Sequence, residues 1–158
     1  MRIYVGTYGN YNNGSIKGEW IDLPCDNLDE KLLFIFGEGD HEYMIQDFEA
    51  DFKICECEDL TSLNAFAENY DALSEHDQKK VCYLIEDGED REDALEGIED
   101  VIFYEDMKMV DVAENMVDEG LFGDISKAIQ NYIDYEAIAR DLSYDGYHET
   151  SEGVFHRS

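Results

Sequence analysis

The chain has 158 residues, with 40 Asp and Glu against 11 Lys and Arg, which gives a formal net charge of -29. This charge disfavours direct binding to nucleic acid, because that binding depends on Lys and Arg side chains that neutralise phosphates. Since 44% of the residues are hydrophobic and 13% are aromatic, the composition also excludes an acidic disordered chain, which is poor in aromatic residues. We therefore predict a folded protein whose excess charge serves a partner with a basic surface.

The first 59 residues are predicted to form a β-rich N-terminal domain with one helix. Between its strands, residues 9–14 are rich in Gly and Asn and predict a turn. Asp26 is predicted to cap a helix that ends at Gly37. The apolar face of that helix is predicted to contain Leu28, Leu32, Leu33 and Phe36. Segments rich in apolar, β-branched and aromatic residues predict three strands at residues 2–7, 19–23 and 43–48.

Residues 60–100 are predicted to form an acidic helical middle domain. Ser74 and Asp77 resemble a capping box before one helix, and Asp90 is predicted to cap a later, shorter one. The spacing of apolar residues predicts the buried faces of three helices. These residues are Leu60, Leu63, Phe66, Ala67 and Tyr70, then Val81, Leu84 and Ile85, and finally Ala94, Leu95 and Ile98.

Residues 101–158 are predicted to form a C-terminal α+β domain. A short strand at residues 101–104 precedes a helix at 109–119 that Gly120 ends. Further helices are predicted around residues 126–131 and from Asp134, followed by a closing hairpin. The whole chain is thus predicted to be α+β, with an antiparallel β N-terminal part, a helical middle and an α+β C-terminal part.

Cysteine usage and the chain ends favour a cytoplasmic protein. The four cysteines show no C-x-x-C spacing, and we expect reduced, largely buried thiols. A zinc site at Cys55 and Cys57 with His41 is a weaker alternative, so we predict no metal and no cofactor. The first residues lack the apolar core of a signal peptide, and no 18-residue apolar run could cross a membrane.

The acidic residues are most crowded between Glu86 and Asp100, where nine of fifteen residues are Asp or Glu. In a helix from Asp90, Glu92 and Glu96 lie at positions i and i+4, about 5–6 Å apart at Cβ, where like charges destabilise a helix. Such a row of carboxylates has the spacing scale of the phosphates along a nucleic-acid strand. The same pattern recurs more weakly along the chain at Glu114 and Asp118.

The charge is also compatible with several different roles. A halophilic source would make all proteins of the cell acidic, and an acidic adaptor could bind some other basic protein. No stretch fits an EF-hand calcium loop. An enzyme is disfavoured, because no nucleophile elbow, P-loop or H-E-x-x-H motif is present and the four histidines lack the context of a catalytic triad.

Both ends of the chain resemble the ArdA antirestriction proteins. The N-terminal likeness is carried by residues 4–14 (YVGTYGNYNNG), by Gly18 with residues 20–23 (WIDL), and by residues 43–49 (YMIQDFE). The C-terminal likeness is carried by residues 131–142 (NYIDYEAIARDL), 145–147 (DGY) and 153–155 (GVF). The middle of the chain is similar to the family only in its acidity and helical pattern.

The resemblance implies a specific function. ArdA proteins are encoded on plasmids, transposons and phage-like elements of bacteria. They act as DNA mimics that occupy the DNA-binding groove of type I restriction-modification enzymes, and two elongated copies pair through the C-terminal domain. For this chain it implies a non-catalytic, cytoplasmic homodimer. The alternative that the charge leaves open is an acidic adaptor for a basic protein such as a transcriptional regulator. The predicted contact acids are Asp87, Glu89, Asp90, Glu92, Asp93, Glu96, Glu99 and Asp100, with Glu114, Asp118, Asp47 and Glu49 as lesser candidates.

The residues matched to the family are otherwise expected to be architectural. Trp20, Tyr132, Tyr135 and Phe155 are predicted to lie in the core or at an interface. Asp134 and Glu136 are the candidate partners of Arg140, six and four residues earlier, and only Glu136 lies on the same helical face.

Overall fold

The computed structural model describes residues 1–37 and 42–157 and confirms an α+β fold. Within these residues, a three-stranded antiparallel sheet stands at each end of the chain and helices lie between them. None of the described helices is long and apolar enough to cross a membrane. The division into domains at residues 59/60 and 100/101 stays a prediction.

The N-terminal sheet has the strand order β2-β1-β3. Its strands are β1 (Arg2–Thr7), β2 (Gly18–Asp22) and β3 (Tyr43–Glu49). Because side chains alternate across a strand, Ile3 and Val5 of β1 point to the core and are fully buried. Tyr4 takes the opposite face, where it is paired with Trp20 of β2 and Asp47 of β3.

One local prediction in this part is right only at Asn13 and Gly14, which form a turn, and another is wrong. The predicted turn at residues 9–14 begins as a one-turn helix, α1 (Tyr8–Asn12), because the Thr7 side chain accepts a hydrogen bond from the Asn10 amide and caps it. Asn27, and not Asp26, is the residue at the N-cap of α2 (Leu28–Phe36).

The buried face of α2 also differs from the predicted one. Leu33 is 67% exposed, because it lies five residues after the buried Leu28 and so points about 140° away around the helix. Leu32, four residues after Leu28, packs on the core as predicted, and Ile35, at seven residues, packs there in place of Leu33. Gly37, with a φ of 60°, follows the helix as predicted.

The three predicted middle helices are confirmed. They are α3 (Leu60–Asp71), α4 (Glu75–Glu86) and α5 (Arg91–Glu96), and a 3-10 turn (Gly97–Asp100) follows α5. Ser74 and Asp90 cap α4 and α5 by accepting hydrogen bonds from the amides of Asp77 and Asp93. The predicted inward residues of α3 are all buried, as are Val81, Leu84 and Ala94.

The C-terminal sheet has the strand order β4-β6-β5 and carries three helices between its first two strands in the sequence. Asp134 caps the last helix through the Ala137 amide, as predicted. The predicted closing hairpin is formed by β5 and β6. The elements are β4 (Val101–Glu105), α6 (Met109–Asp118), α7 (Lys127–Gln130), α8 (Tyr135–Leu142), β5 (Tyr147–Glu149) and β6 (Gly153–Arg157).

The helical middle is packed on both sheets. One hydrophobic cluster runs from the N-terminal sheet through α3, α4 and α5 to Phe103 and Phe155 of the C-terminal sheet. Tyr83 of α4 stacks on Phe155 with ring centres 4.4 Å apart, and Phe155 stacks on Phe103 at 4.2 Å. A second cluster lies between α6, α8 and Val154. The acidic α4–α5 region is therefore held against a continuous core.

Candidate partner-binding surface

The acidic segment, residues 86–100, covers the end of α4, a four-residue connection, α5 and the 3-10 turn. Its apolar side chains face inward: Ala94 is fully buried, and Leu95 and Ile98 pack on the same core. Because one face of α5 is used in this way, the acids on its other positions are turned to solvent. The exposed predicted acids of this segment are Asp87, Asp90, Glu92, Asp93, Glu96, Glu99 and Asp100, while Glu89 is half-buried.

The acids of this segment lie close enough to affect one another. The negative charge of Asp90 raises the pKa of Asp93, with further contributions from desolvation and from Glu89 and Glu96. Asp93 also donates its backbone N–H to Asp90 Oδ1 at 3.0 Å, so the two residues are fixed together at the start of α5. The segment is thus a concentrated and ordered patch of negative charge.

Two arginines connect the acidic segment to neighbouring elements, Arg91 from within the segment and Arg157 from the C-terminal sheet. Arg91 forms an ion pair with Glu58, donates to the Lys53 carbonyl oxygen at 3.2 Å and lies over the Phe52 ring. Arg157, at the end of β6, approaches Glu89 Oε1 to 2.6 Å and Asp87 Oδ2 to 4.0 Å through the same Nη1 atom.

Four other acids of the segment are not held by these arginines. Among the described residues, the ion pairs do not include Glu92, Asp93, Glu96 or Glu99. These four carboxylates are exposed on α5 and the turn that follows it. They form the part of the segment best suited to meet cations of another molecule.

The lesser candidate acids lie on other elements. Asp47 and Glu49 are exposed on β3, and Glu49 forms an ion pair with Arg2 at 3.7 Å. Glu114 and Asp118 are exposed on α6, whose other face packs on the second hydrophobic cluster. The structure therefore places the eight acids of residues 87–100 along one continuous segment, seven of them exposed, and the other four on β3 and α6.

The sequence pattern does not predict the anchoring roles of Arg91 and Arg157. Arg91 offers a signal in retrospect, because it is the single basic residue among residues 86–100. Arg157 lies 68 residues from Glu89 along the chain, so no local pattern joins them. The predicted Arg140–Glu136 pair is absent from the ion pairs of the described residues.

The predicted aromatic residues divide into two groups. Phe155 is 3% exposed and belongs to the core, and Tyr135 is half-buried. Trp20 is 37% exposed on the outer face of the N-terminal sheet, where the Arg2 guanidinium lies 4.8 Å from the ring centre. Tyr132 is 85% exposed, so the core prediction is wrong for it and only an interface role is left.

The cysteines are free, but their burial is only partly as predicted. Cys25 is buried and Cys82 is half-buried, whereas Cys55 and Cys57 are exposed. The buried positions of the loop before α3 are taken by Phe52 and Ile54, which leaves the two cysteines outside. His41, the third ligand of the alternative zinc site, lies outside the described residues, and no cluster of three potential metal ligands occurs within them.

Comparison with known families gives one clear result. The family of antirestriction proteins named ArdA matches residues 3–156, nearly the whole length of the chain. A comparison with curated protein sequences gave no significant match. The family match includes the middle of the chain, where the sequence resemblance rested only on acidity and helical pattern. The chain belongs to the ArdA family of antirestriction proteins.

Proposed function

We propose that this protein inhibits type I restriction-modification enzymes by acting as a DNA mimic. In this mechanism, its exposed carboxylates take the place of DNA phosphates in the enzyme's DNA-binding groove and compete with DNA. The observation that carries the proposal is the ordered acidic segment, whose α5 face turns Glu92, Asp93 and Glu96 to solvent in a protein of an antirestriction family. The process is binding alone and requires no catalytic step.

The magnitude of the charge supports this proposal. B-DNA carries one charge per about 1.7 Å of helix axis. A net charge of -29 corresponds to roughly 50 Å of duplex at that density. The charge of one chain is therefore on the scale of a protein-binding site on DNA, and two copies would represent very roughly 30 base pairs.

Mimicry of the phosphates also predicts a broad target range. Phosphate contacts position a protein on DNA, whereas contacts to base edges read its sequence. A carboxylate array has no base edges, so it can occupy the grooves of enzymes that recognise different sequences. The proposed contact acids are the eight of residues 87–100, with Asp47, Glu49, Glu114 and Asp118 as outlying contacts.

A homodimer in the bacterial cytoplasm is part of the proposal. The C-terminal part exposes several large apolar side chains, among them Leu121, Phe122, Ile129, Tyr132 and Tyr144. Burial of apolar surface is the main driving force of most protein association. These residues are suited to contact a second copy, which would double the negative charge available to the enzyme.

The test is competition between the protein and a target DNA duplex for a purified type I methyltransferase core. The site variant combines Glu92→Gln, Asp93→Asn, Glu96→Gln and Glu99→Gln. The control combines Glu19→Gln, Asp26→Asn, Glu30→Gln and Glu68→Gln, which are exposed acids outside the proposed surface. Each variant loses four negative charges, through three Glu→Gln substitutions and one Asp→Asn substitution.

The wild type and the control are expected to displace DNA, and both less well as salt rises. The site variant is expected to bind about tenfold or more weakly, because it loses four ionic contacts. Equal affinity of the site and control variants would remove the acidic segment from the mechanism. An acidic adaptor for another basic protein is the alternative, and it gains support if several methyltransferases fail to bind the folded wild type.

A further inference from the structure

Arg157 stands where the acidic segment meets the C-terminal sheet. It belongs to β6, and its backbone is paired with Val101 at the start of β4, directly after the acidic segment. Its Nη1 atom lies 2.6 Å from Glu89 Oε1 and 4.0 Å from Asp87 Oδ2. Glu89, and to a lesser extent Asp87 and Asp100, raise the pKa of Arg157.

The acids that Arg157 contacts lie close together in the connection between α4 and α5, so a nearby positive charge stabilises them. The connection between α4 and α5 places acids on both sides of Gly88, whose φ of 107° is a conformation that few other residues adopt. Asp87 and Glu89 both approach the same Arg157 nitrogen to within 4.0 Å, and like charges so close to each other repel. Arg91 is the nearest basic residue in the sequence, but its guanidinium contacts the Glu58 carboxylate and the Lys53 carbonyl oxygen, both in the loop before α3. Arg157 is therefore the cation that meets these acids from the C-terminal sheet.

We propose that Arg157 is a positioning residue for partner binding: it holds Asp87 and Glu89 against the C-terminal sheet and so fixes the acidic surface that the enzyme meets. This inference rests on the proposed function. It predicts a change in affinity opposite in sign to the change that net charge alone predicts. If only net charge mattered, loss of Arg157 would make the protein more acidic and strengthen its binding to a basic groove. If Arg157 positions the acids, its loss weakens binding despite the added negative charge.

The experiment compares three single variants in the same competition assay with the methyltransferase core and its duplex. Arg157→Gln removes the anchor and changes the net charge by one unit. Lys17→Gln makes the same change of charge at an exposed lysine on the β1–β2 connection, and Lys17 forms none of the ion pairs found among the described residues. Arg157→Lys keeps the charge.

The expected result is that Arg157→Gln binds roughly two- to fivefold more weakly than the wild type, the scale of one partly exposed ion pair. Lys17→Gln should bind at least as tightly as the wild type. Arg157→Lys should recover most of the loss, because Arg157 uses a single nitrogen rather than its two-pronged fork for both acids. The side chains of Arg157 and Glu89 are 41% and 30% exposed, so these changes leave neither a fully buried charge nor a cavity.

Amide hydrogen exchange supplies a second readout that does not depend on the enzyme. In the wild type, the Asp87 and Glu89 amides donate to the carbonyl oxygens of Tyr83 and Leu84 at 2.9 and 3.0 Å. Both amides should exchange faster in Arg157→Gln than in the wild type or Lys17→Gln.

The two proposals fail in different ways. If the wild type displaces DNA and Arg157→Gln does so equally well or better, Arg157 is only a passive counter-charge and the inference is overturned. Unchanged exchange at the Asp87 and Glu89 amides in that variant would overturn it as well. If the wild type itself fails to displace DNA, the proposed function is overturned, and this inference falls with it.

Discussion

Gly18 and Gly153 are the residues whose presence the structure explains most directly. A Cβ atom on Gly153 would lie 2.2 Å from the Tyr104 carbonyl oxygen, and one on Gly18 would lie 2.3 Å from the Val5 carbonyl oxygen. Each glycine thus lets its strand pair closely with a neighbour, in the N-terminal sheet for Gly18 and in the C-terminal sheet for Gly153. Both belong to the stretches that carry the family resemblance, and the close approach of the backbone explains why glycine stands at each position.

Replacement of Gly153 by Ala is therefore expected to destabilise the fold strongly. The φ of 146° at this position disfavours any side chain, and the contact with Tyr104 is with backbone that cannot move freely. We expect a loss of about 2 kcal/mol or more in the free energy of unfolding, measured by urea denaturation. Gly120→Ala is an informative control: it shares a positive φ but meets no atom within 4 Å, so its loss should be smaller.

Asp93 provides a test of charge crowding at a single residue. Because the charge of Asp90 is the largest cause of the raised Asp93 pKa, Asp90→Asn should lower that pKa toward its ordinary value. Asn retains the N-cap of α5, so the helix is preserved. The measurement is a pH titration of the Asp93 carboxyl group by NMR, and Asp47→Asn should leave it unchanged.

The sign of the linked effect on stability follows from the raised pKa. The ionised form of Asp93 is disfavoured in the folded state, so its destabilising effect is present above the folded pKa and is relieved as the pH falls through it. Asp90→Asn should reduce this pH dependence. A pKa for Asp93 that does not change in Asp90→Asn would show that another group controls it.

At the scale of elements, helix α5 has a local sequence that disfavours a helix, and tertiary contacts stabilise it. It has only six residues and bears like charges at Glu92 and Glu96, which disfavour an isolated helix. The Asp90 cap, the burial of Ala94 and the contacts of Arg91 offset that repulsion. The element thus retains a charge pattern that stability alone would not select.

Charge reversal at Glu96 should separate stability from function. In Glu96→Lys, Glu92 and the new Lys stand at i and i+4 in the favourable order, which is worth about 0.3–0.5 kcal/mol in place of a repulsion of similar size. We expect a higher urea midpoint together with weaker displacement of DNA from the methyltransferase. Glu96→Gln, which removes the repulsion without adding a pair, should fall between the two proteins in both measurements. A variant that is more stable and also binds more tightly would contradict the proposed role of Glu96.

The helices that agree best with the sequence prediction are those with a capping residue and a clear apolar period. Helices α3, α4 and α8 have both, and their caps at Asp59, Ser74 and Asp134 are formed by side chains. Helix α2 has no side-chain cap bond, and the run of apolar residues at its end conceals which face is inward. The acidic segment itself was predictable, because charge and helical spacing are local properties.

Long-range contacts were not predictable from the sequence. The pairing of Arg157 with Glu89 arises only when β6 comes to lie beside the end of the acidic segment. The exposure of Cys55 and Cys57 likewise depends on which loop residues reach the core, and Phe52 and Ile54 do so. Such features need the three-dimensional arrangement of elements that are distant in sequence.

For the whole molecule, the net charge makes salt act in opposite directions on folding and on binding. Self-repulsion among like charges destabilises the compact state, and salt screens it. The melting temperature should therefore rise as NaCl increases from about 0.05 to 0.5 M, while displacement of DNA from the enzyme weakens over the same range. Thermal unfolding followed by circular dichroism gives the first quantity and the competition assay the second. A melting temperature that falls with salt would indicate that the ion pairs outweigh the repulsion.

The ring stack that joins α4 to the C-terminal sheet has an optical consequence. Tyr83, Phe155 and Phe103 lie nearly parallel, at angles of 2° and 6°, in a rigid and asymmetric setting. Stacked chromophores held in this way contribute to the near-ultraviolet circular dichroism, a signal that disappears when fixed side-chain packing is lost. The protein thus carries an intrinsic spectroscopic reporter of whether its helical middle remains seated on the C-terminal sheet, without any added label.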